Sequence, residues 1–485
     1  MGLKRIRVTT KHSPPSSSSS KILLPLALLL ITPLVLFVVP PISHLREPFF
    51  LIEDHRFHGD LREAHFAWNK LCFGPTFEKL KLAVFSKTWP VDATPGGMEH
   101  HASTLFNALA AKGHEVHVFT VPSDRHPHHD IQEGNLHVHF TPNNHGSLNC
   151  SLAFEIFNKE SFISPFDYVH TESVSLPHWR TKAVPNVAVT WHGVWYEIIH
   201  SKLFQELLSD PNSAITAGSD TDLREALPRL VDEIRFFASY TQHICISNSA
   251  SEVLVNIYQL PSRNVHVILN GVDHTKFDHN PSLGLQFRQQ HGVPPNATIV
   301  MGVAGRLVRD KGHPLLHKAF SSITKRHPGV HLLVAGSGPW EKRYAELGSN
   351  VKVLGALDPS QLVKFYNALD IFVNPTLRPQ GLDLTLIEAM QCGKPVLTPN
   401  FPSITGTVVV SEEIGYTFSP NVGSFVEACE MVIRDGHKRL HEKGMACKSY
   451  AMSMFTATKM TSAYERFFLC MKNSKYCSYP LHTDC

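Results

Sequence analysis

Several stretches combine glycine, cationic and carboxylate side chains at spacings suited to a phosphorylated ligand. In Gly305-Arg306-Leu307-Val308-Arg309-Asp310-Lys311-Gly312 a glycine follows an apolar run, and Arg306 and Lys311 project two cations from one short turn. Arginine can grip a diphosphate bidentately, and lysine neutralises it as a point charge. The same cations can stabilise charge on a departing group, which makes both candidate catalytic residues. Ala335-Gly336-Ser337-Gly338-Pro339 is a second glycine turn after an apolar run, where backbone can near a ligand. Gly96 and Gly97 open a helical pattern, and paired glycines there leave backbone N–H groups open to an anion. Thr190-Trp191-His192-Gly193 puts a histidine directly after a strand pattern.

The fourth glycine turn is the most informative. Pro379-Gln380-Gly381-Leu382-Asp383 leads into an apolar helix that Gly393 and Pro395 close. Its start can hold a phosphate or sugar oxygen. Gln380 and Glu388 fall on its polar side, where Glu388 can accept two hydroxyls, such as those of a ribose. An ordinary amphipathic helix with a solvated glutamate has the same local pattern. What separates the two is that matching glycine turns follow earlier strands in order.

These turns must be positioned by a sheet. Short apolar strands alternate with helical patterns from Lys81 to about 248 and again from Val265 to about 434. That alternation implies two α/β units with doubly wound parallel sheets. Ligands in such sheets bind beyond the carboxyl ends of the strands, here in a cleft between the units. The expected boundaries are an N-terminal unit at 80–262, a C-terminal unit at 263–455, and a last helix and tail at 456–485; the last long helical pattern, about 437–472, is expected to pack back across both units.

Composition narrows the class. Hydrophobic residues make up 43% and charged residues 18% of 485, as in a folded protein, and the net charge is only +3. Lys4, Arg5, Arg7, Lys11 and Lys21 crowd the start without an acid. That is a membrane-orientation signal, and no nucleic-acid partner is expected. From Ile22 to Ser43 there is no charge, and about 20 apolar residues suffice to cross a bilayer. The run is longer than a signal-peptide core and lacks a small-x-small cleavage site. The reading is therefore a cytosolic tail (1–21), a signal anchor (22–42) and a stem (43–79), with the remainder in a secretory lumen.

Asn149-Cys150-Ser151 and Asn296-Ala297-Thr298 are glycosylation sequons, at Asn149 and Asn296. Nine cysteines show no CxxC or zinc spacing. Cys470, Cys477 and Cys485 are the most plausible source of a disulfide. Among 31 histidines, Arg125-His126-Pro127-His128-His129-Asp130 reads as a polar loop, since it lacks a rigid ligand spacing. Neither a metal nor another cofactor is expected. The absence of GxGxxG argues against a nicotinamide site.

Taken in order, GGxE (Gly96 to Glu99), GHEVHV (Gly113 to Val118), His192, NGVD (Asn270 to Asp273), GRLVxxKG, GSGP and LIEAMQCGKPV resemble the retaining glycosyltransferases of family 4, over roughly residues 80–460. The resemblance implies a GT-B fold, a nucleotide-sugar donor and a metal-independent transfer with retention. It implies that Arg306 and Lys311 bind the donor diphosphate, that Glu388 binds the ribose, that Gly96, Gly97, Gly305 and Gly336 lie by the donor, and that His192 contacts the donor sugar. With the apolar run, it implies a single-pass type II protein, expected in the Golgi. Asp220-Thr221-Asp222 resembles the DxD motif of the other glycosyltransferase fold and reads as incidental.

The chain departs from the family pattern EGFGxxxxE. Gln380 replaces the first carboxylate and Asp383 a glycine. Gln380 can still bind a hydroxyl but offers no negative charge to a developing cation. Asp383 either restores that charge or repels the phosphate. A catalytically lapsed chain that binds a nucleotide or glycan, or acts as a scaffold subunit, is the alternative that Gln380 raises.

Overall fold

The computed structural model describes residues 57–91, 96–124, 126–142, 147–184, 186–208 and 217–485. Its strands are β1 (Gly59–Asp60), β2 (Lys81–Phe85), β3 (Glu115–Thr120), β4 (Ile131–Glu133), β5 (Leu136–Phe140), β6 (Tyr168–Glu172), β7 (Val187–Trp191), β8 (Gln242–Cys245), β9 (Val265–Val267), β10 (Ile299–Ala304), β11 (Val330–Ala335), β12 (Val351–Gly355), β13 (Ile371–Val373), β14 (Val396–Pro399), β15 (Gly415–Phe418) and β16 (Ser478–Tyr479). One sheet runs β4-β5-β3-β2-β6-β7-β8-β9 and the other β12-β11-β10-β13-β14-β15. Every pairing in them is parallel except β4 with β5. Strands such as Val330–Ala335 and Val187–Trp191 are buried throughout, because helices cover both faces. The two doubly wound, Rossmann-like units expected from the strand–helix alternation are present.

The boundaries differ in detail. β9 pairs with β8 and completes the first sheet, so that unit extends past the expected join at 262/263. The triplet Val-His-Val is fully buried, and it gains more beside β8 than at the start of a new sheet. The crossing expected over 437–472 is made by two helices, Val422–Met454 and Ala457–Lys472. The first bends at Gly436 (φ 65°) and ends at Phe455; Thr456 caps the second through the Lys459 N–H. Met460, Ala463, Tyr464, Phe467 and Phe468 of the second helix join the core of the first unit with Leu82, Val84 and Leu105. The C-terminal segment thus completes the N-terminal unit.

Residues 57–79, read from the sequence as the end of a stem, are folded into the body. Leu61, Trp68 and Leu71 are buried in the first unit's core, and Phe57, Phe66 and Phe73 pack partly buried against it. Asn69 Nδ2 donates to the Leu269 carbonyl at 3.2 Å and the Met454 carbonyl at 3.1 Å, and its Oδ1 accepts the Leu269 N–H at 2.7 Å. Disulfides link Cys72 to Cys485 and Cys470 to Cys477. Among the described residues, no helix is long and apolar enough to cross a membrane. The expected tail, the anchor at 22–42 and the start of the stem lie outside the described residues.

Candidate active site

The carboxyl ends of β6 and β7 bring two polar residues together. The parallel register sets Glu172 opposite Thr190, so His192, two residues on, reaches back to it. His192 Nε2 is hydrogen-bonded to Glu172 Oε2. Glu172 is fully buried, with His170 Nε2 at 3.4 Å and His101 Nε2 at 3.9 Å from its Oε1. Burial works to raise its pKa, but the surrounding histidines outweigh it and hold the carboxyl below its usual range. His101, also buried, is pushed down to about 3 by desolvation and so stays neutral. Donor atoms of His101, Glu172 and His192 lie within 4.8 Å of one another, close enough to hold a cation.

The helix Gly97–Ala111 points its first turn into this region. Gly96 is its N-cap, and a Cβ there would lie 2.5 Å from Glu99 Oε2. Glu99 is in turn held by Thr88 Oγ1 at 2.5 Å. Gly96 and Gly97 are both exposed. His100, one turn in, approaches Glu388 of the other unit, Nδ1 to Oε1 3.6 Å.

The second unit contributes its glycine turns. Gly305 (φ 124°), after β10, and Gly336 (φ 129°), after β11, pack backbone on backbone. A Cβ at Gly336 would lie 1.8 Å from the Gly305 carbonyl oxygen. The Gly305 N–H donates to Ala335 O at 3.0 Å and the Leu307 N–H to Ser337 O at 2.9 Å. Gly336 is therefore needed first to let two loops interlock. Arg306 is exposed beside them, while Lys311 Nζ donates to Asp383 Oδ1 at 2.5 Å. Asn374 Nδ2 donates to the other Asp383 oxygen at 3.1 Å. Burial pushes the Asp383 carboxyl up, but Lys311 outweighs it and the pKa is lowered.

The segment from Arg378 to Glu388 is where the units meet. Arg378 Nη2 donates to the fully buried Glu197 at 2.7 Å, and Gly381 sits against the other Glu197 oxygen, which a Cβ would approach to 3.1 Å. The Gln380 carbonyl accepts from Ser247 Oγ at 2.6 Å, and the Leu382 carbonyl accepts from Asn270 Nδ2 at 3.1 Å. Gln380 is buried, its Nε2 3.4 Å from His200 Nδ1 and its Oε1 without a partner. Gln380 and His192 line one narrow cavity, of about 10 Å³, alongside Trp191, Gly193 and Glu197. A wider groove, about 720 Å³, lies against Val308, Arg309, Pro339 and Trp340; none of the predicted site residues lines it.

Glu388 does not lie on a solvated face as the helical pattern suggests. The helix Leu384–Gln391 is buried at every position but Thr385. Tyr366 OH donates to Glu388 Oε2 at 2.6 Å, and burial pushes the carboxyl pKa up to about 7. Oε1 is left toward His100 and the helix Gly97–Ala111. Of the sequons, Asn149 is exposed but caps the helix Cys150–Ile163 through Leu152 N–H at 3.2 Å, and Asn296 is exposed.

Sequence reading missed Glu172, His101, Glu197, Arg378 and Tyr366. Glu172 carried a signal, as the last residue of the strand Tyr-Val-His-Thr-Glu. Glu197 and Tyr366 lie within helices and carried none.

Known proteins share these features. Residues 95–276 match the family model Glycosyltransferase Family 4, and residues 286–452 match Glycosyl transferases group 1. An uncharacterized glycosyltransferase of Methanocaldococcus jannaschii is 27% identical over 377 residues, 73% of this chain and 90% of that protein. D-inositol 3-phosphate glycosyltransferase of Saccharomonospora viridis is 26% identical over 352 residues, 67% of this chain and 78% of that protein. Among solved structures, sucrose-phosphate synthase of Thermosynechococcus elongatus superposes with a TM-score of 0.62 at 20% identity, over 80% of this chain and all of that one. Anabaena HepE in complex with UDP-glucose does so with a TM-score of 0.56 at 18% identity, over 79% and 99%. The two glycosyltransferase models thus match the two units in order, and the chain has the GT-B fold.

Proposed function

We propose that the protein transfers a sugar from a nucleotide-sugar donor to a glycan, lipid or small-molecule acceptor, with retention of anomeric configuration and without a metal in the transfer step. One observation carries this reading: His192, held by buried Glu172, lines the same cavity as Gln380, at the start of the segment that ends in Glu388. Arg306 and Lys311 take the donor diphosphate and stabilise the charge it gains as the anomeric bond breaks. Glu388 takes the ribose hydroxyls. The backbone at Gly96, Gly97, Gly305 and Gly336 lies by the phosphates, and Gln380 to Asp383 face the donor sugar. His192 faces the reaction centre, with Glu172 fixing its ring. The complex of Anabaena HepE with UDP-glucose makes UDP-glucose the first donor to offer. Anchoring through residues 22–42, with the body in the Golgi lumen, is supported by the apolar run and by two disulfides, which persist in oxidising compartments.

The test is a panel of nucleotide sugars offered to the full chain, with nucleotide release and glycosylated product both measured. At least one donor is expected to turn over. His192→Ala is expected to lower its rate about 100-fold or more, the scale on which loss of a group acting in the transition state is felt. Glu388→Ala is expected to raise the donor KM. Tight nucleotide binding with no release for any donor would instead favour the non-catalytic alternative that Gln380 raises.

A further inference from the structure

The first sheet carries a second polar cluster, removed from the cleft and independent of the reading above. His117 of β3 pairs in register with His137 of β5, and Phe119 with His139, so the three histidines share one face. His117 Nδ1 and His139 Nε2 face each other at 3.0 Å. The other nitrogen of each ring is taken by a carboxylate: His117 Nε2 lies 2.9 Å from Glu115 Oε1, and His139 Nδ1 lies 3.1 Å from Asp130 Oδ2. A carboxylate only accepts, so the ring N–H belongs on those far nitrogens. The facing nitrogens then present two lone pairs to each other at 3.0 Å, which is repulsive unless a cation stands between them.

A further donor lies beside that point. Glu160 Oε2, from the helix Cys150–Ile163, lies 4.0 Å from His117 Nδ1. The His137 ring stacks on His117 at 4.5 Å and covers one face of the pair. Lys81 Nζ, 3.0 Å from Glu115 Oε1, neutralises that carboxylate and leaves it as the anchor of His117. Tetrahedral zinc at its usual bond length needs its nitrogens about 3.3 Å apart, a few tenths of an ångström from what is present. Imidazoles whose second nitrogen is held by a carboxylate are the form in which metals are bound. Asp130 closes the histidine-rich loop that reads, from sequence, as merely polar; its role appears only when β4 folds beside β5.

We propose that His117, His139 and Glu160 form a binding site for a divalent transition-metal ion of the zinc class. The ion would staple β3, β5 and the helix Cys150–Ile163. The site, on β3 and β5, lies three to four strand spacings from β7, roughly 14–19 Å, so it is structural with respect to the cleft.

The test is calorimetric titration of the full chain with zinc after chelator treatment, together with melting temperature with and without zinc. The wild type is expected to bind one zinc tightly and to melt higher with it. His139→Ala removes the tight site. Asp130→Asn, an exposed substitution that keeps an acceptor, weakens it about tenfold, and His128→Ala in the same loop leaves it unchanged. Zinc affinity equal in the wild type, Asp130→Asn and His139→Ala would overturn the proposal and place any ion elsewhere, His101, Glu172 and His192 included. A wild type with no tight zinc binding would also overturn it, leaving a shared proton between the rings.

Discussion

On the proposed function, Asp383 decides how much charge the cleft offers a donor. Where the family pattern has glycine, this chain has a carboxylate bonded to Lys311 at 2.5 Å, so a diphosphate must compete with it for that lysine. Asp383→Asn is therefore expected to tighten nucleotide-diphosphate binding about 3- to 10-fold, on the order of 1 kcal/mol. Adding Lys311→Ala is expected to cancel the gain; calorimetry on both variants measures it, and weaker binding in Asp383→Asn would mean that the carboxylate organises the site. The sequence exposed both possibilities for Asp383, because substitution of a glycine is visible in one dimension. It left them open, because the partner lies 72 residues away. Glu388 was legible as a special acid, but its hydrogen bond from Tyr366 and its approach to His100 were not.

At the scale of elements, the glycine turns were read from their places after strands, and those places hold. Their physical reason is different from the one the pattern suggests. Gly305 and Gly336 share a left-handed φ, but only Gly336 is crowded: a Cβ at Gly305 meets nothing within 4 Å, while one at Gly336 strikes the Gly305 carbonyl at 1.8 Å. Gly305→Ala should then cost only backbone strain, about 1–2 kcal/mol, and Gly336→Ala about 2 kcal/mol more because the loops must part. Urea denaturation of the two variants gives the difference, and equal losses would show that the interlock contributes nothing. The hairpin of β4 and β5 was not foreseen, since Ile131-Gln132-Glu133 is too short and polar to signal a strand.

At the scale of the molecule, distant segments close the fold. Asn69 binds both chain crossings between the units, at Leu269 and Met454. Asn69→Ala would strand buried backbone groups at both, and a loss of about 2–4 kcal/mol is expected, read as a lower urea midpoint. A loss under about 0.5 kcal/mol would mean that the crossings hold without it. The sequence by itself determined the two α/β units, the order of the glycine turns after their strands, and the segment from Gln380 to Glu388. Strand–helix alternation and turn chemistry are local, so they can be read along the chain. Only the tertiary structure decided what those residues touch: His192 with Glu172, Lys311 with Asp383, Arg378 with Glu197 across 181 residues, and the docking of 57–79 and of the helix Ala457–Lys472 into the first core. Such contacts depend on which surfaces meet when two sheets and a returning helix pack, and spacing along the chain carries no record of that.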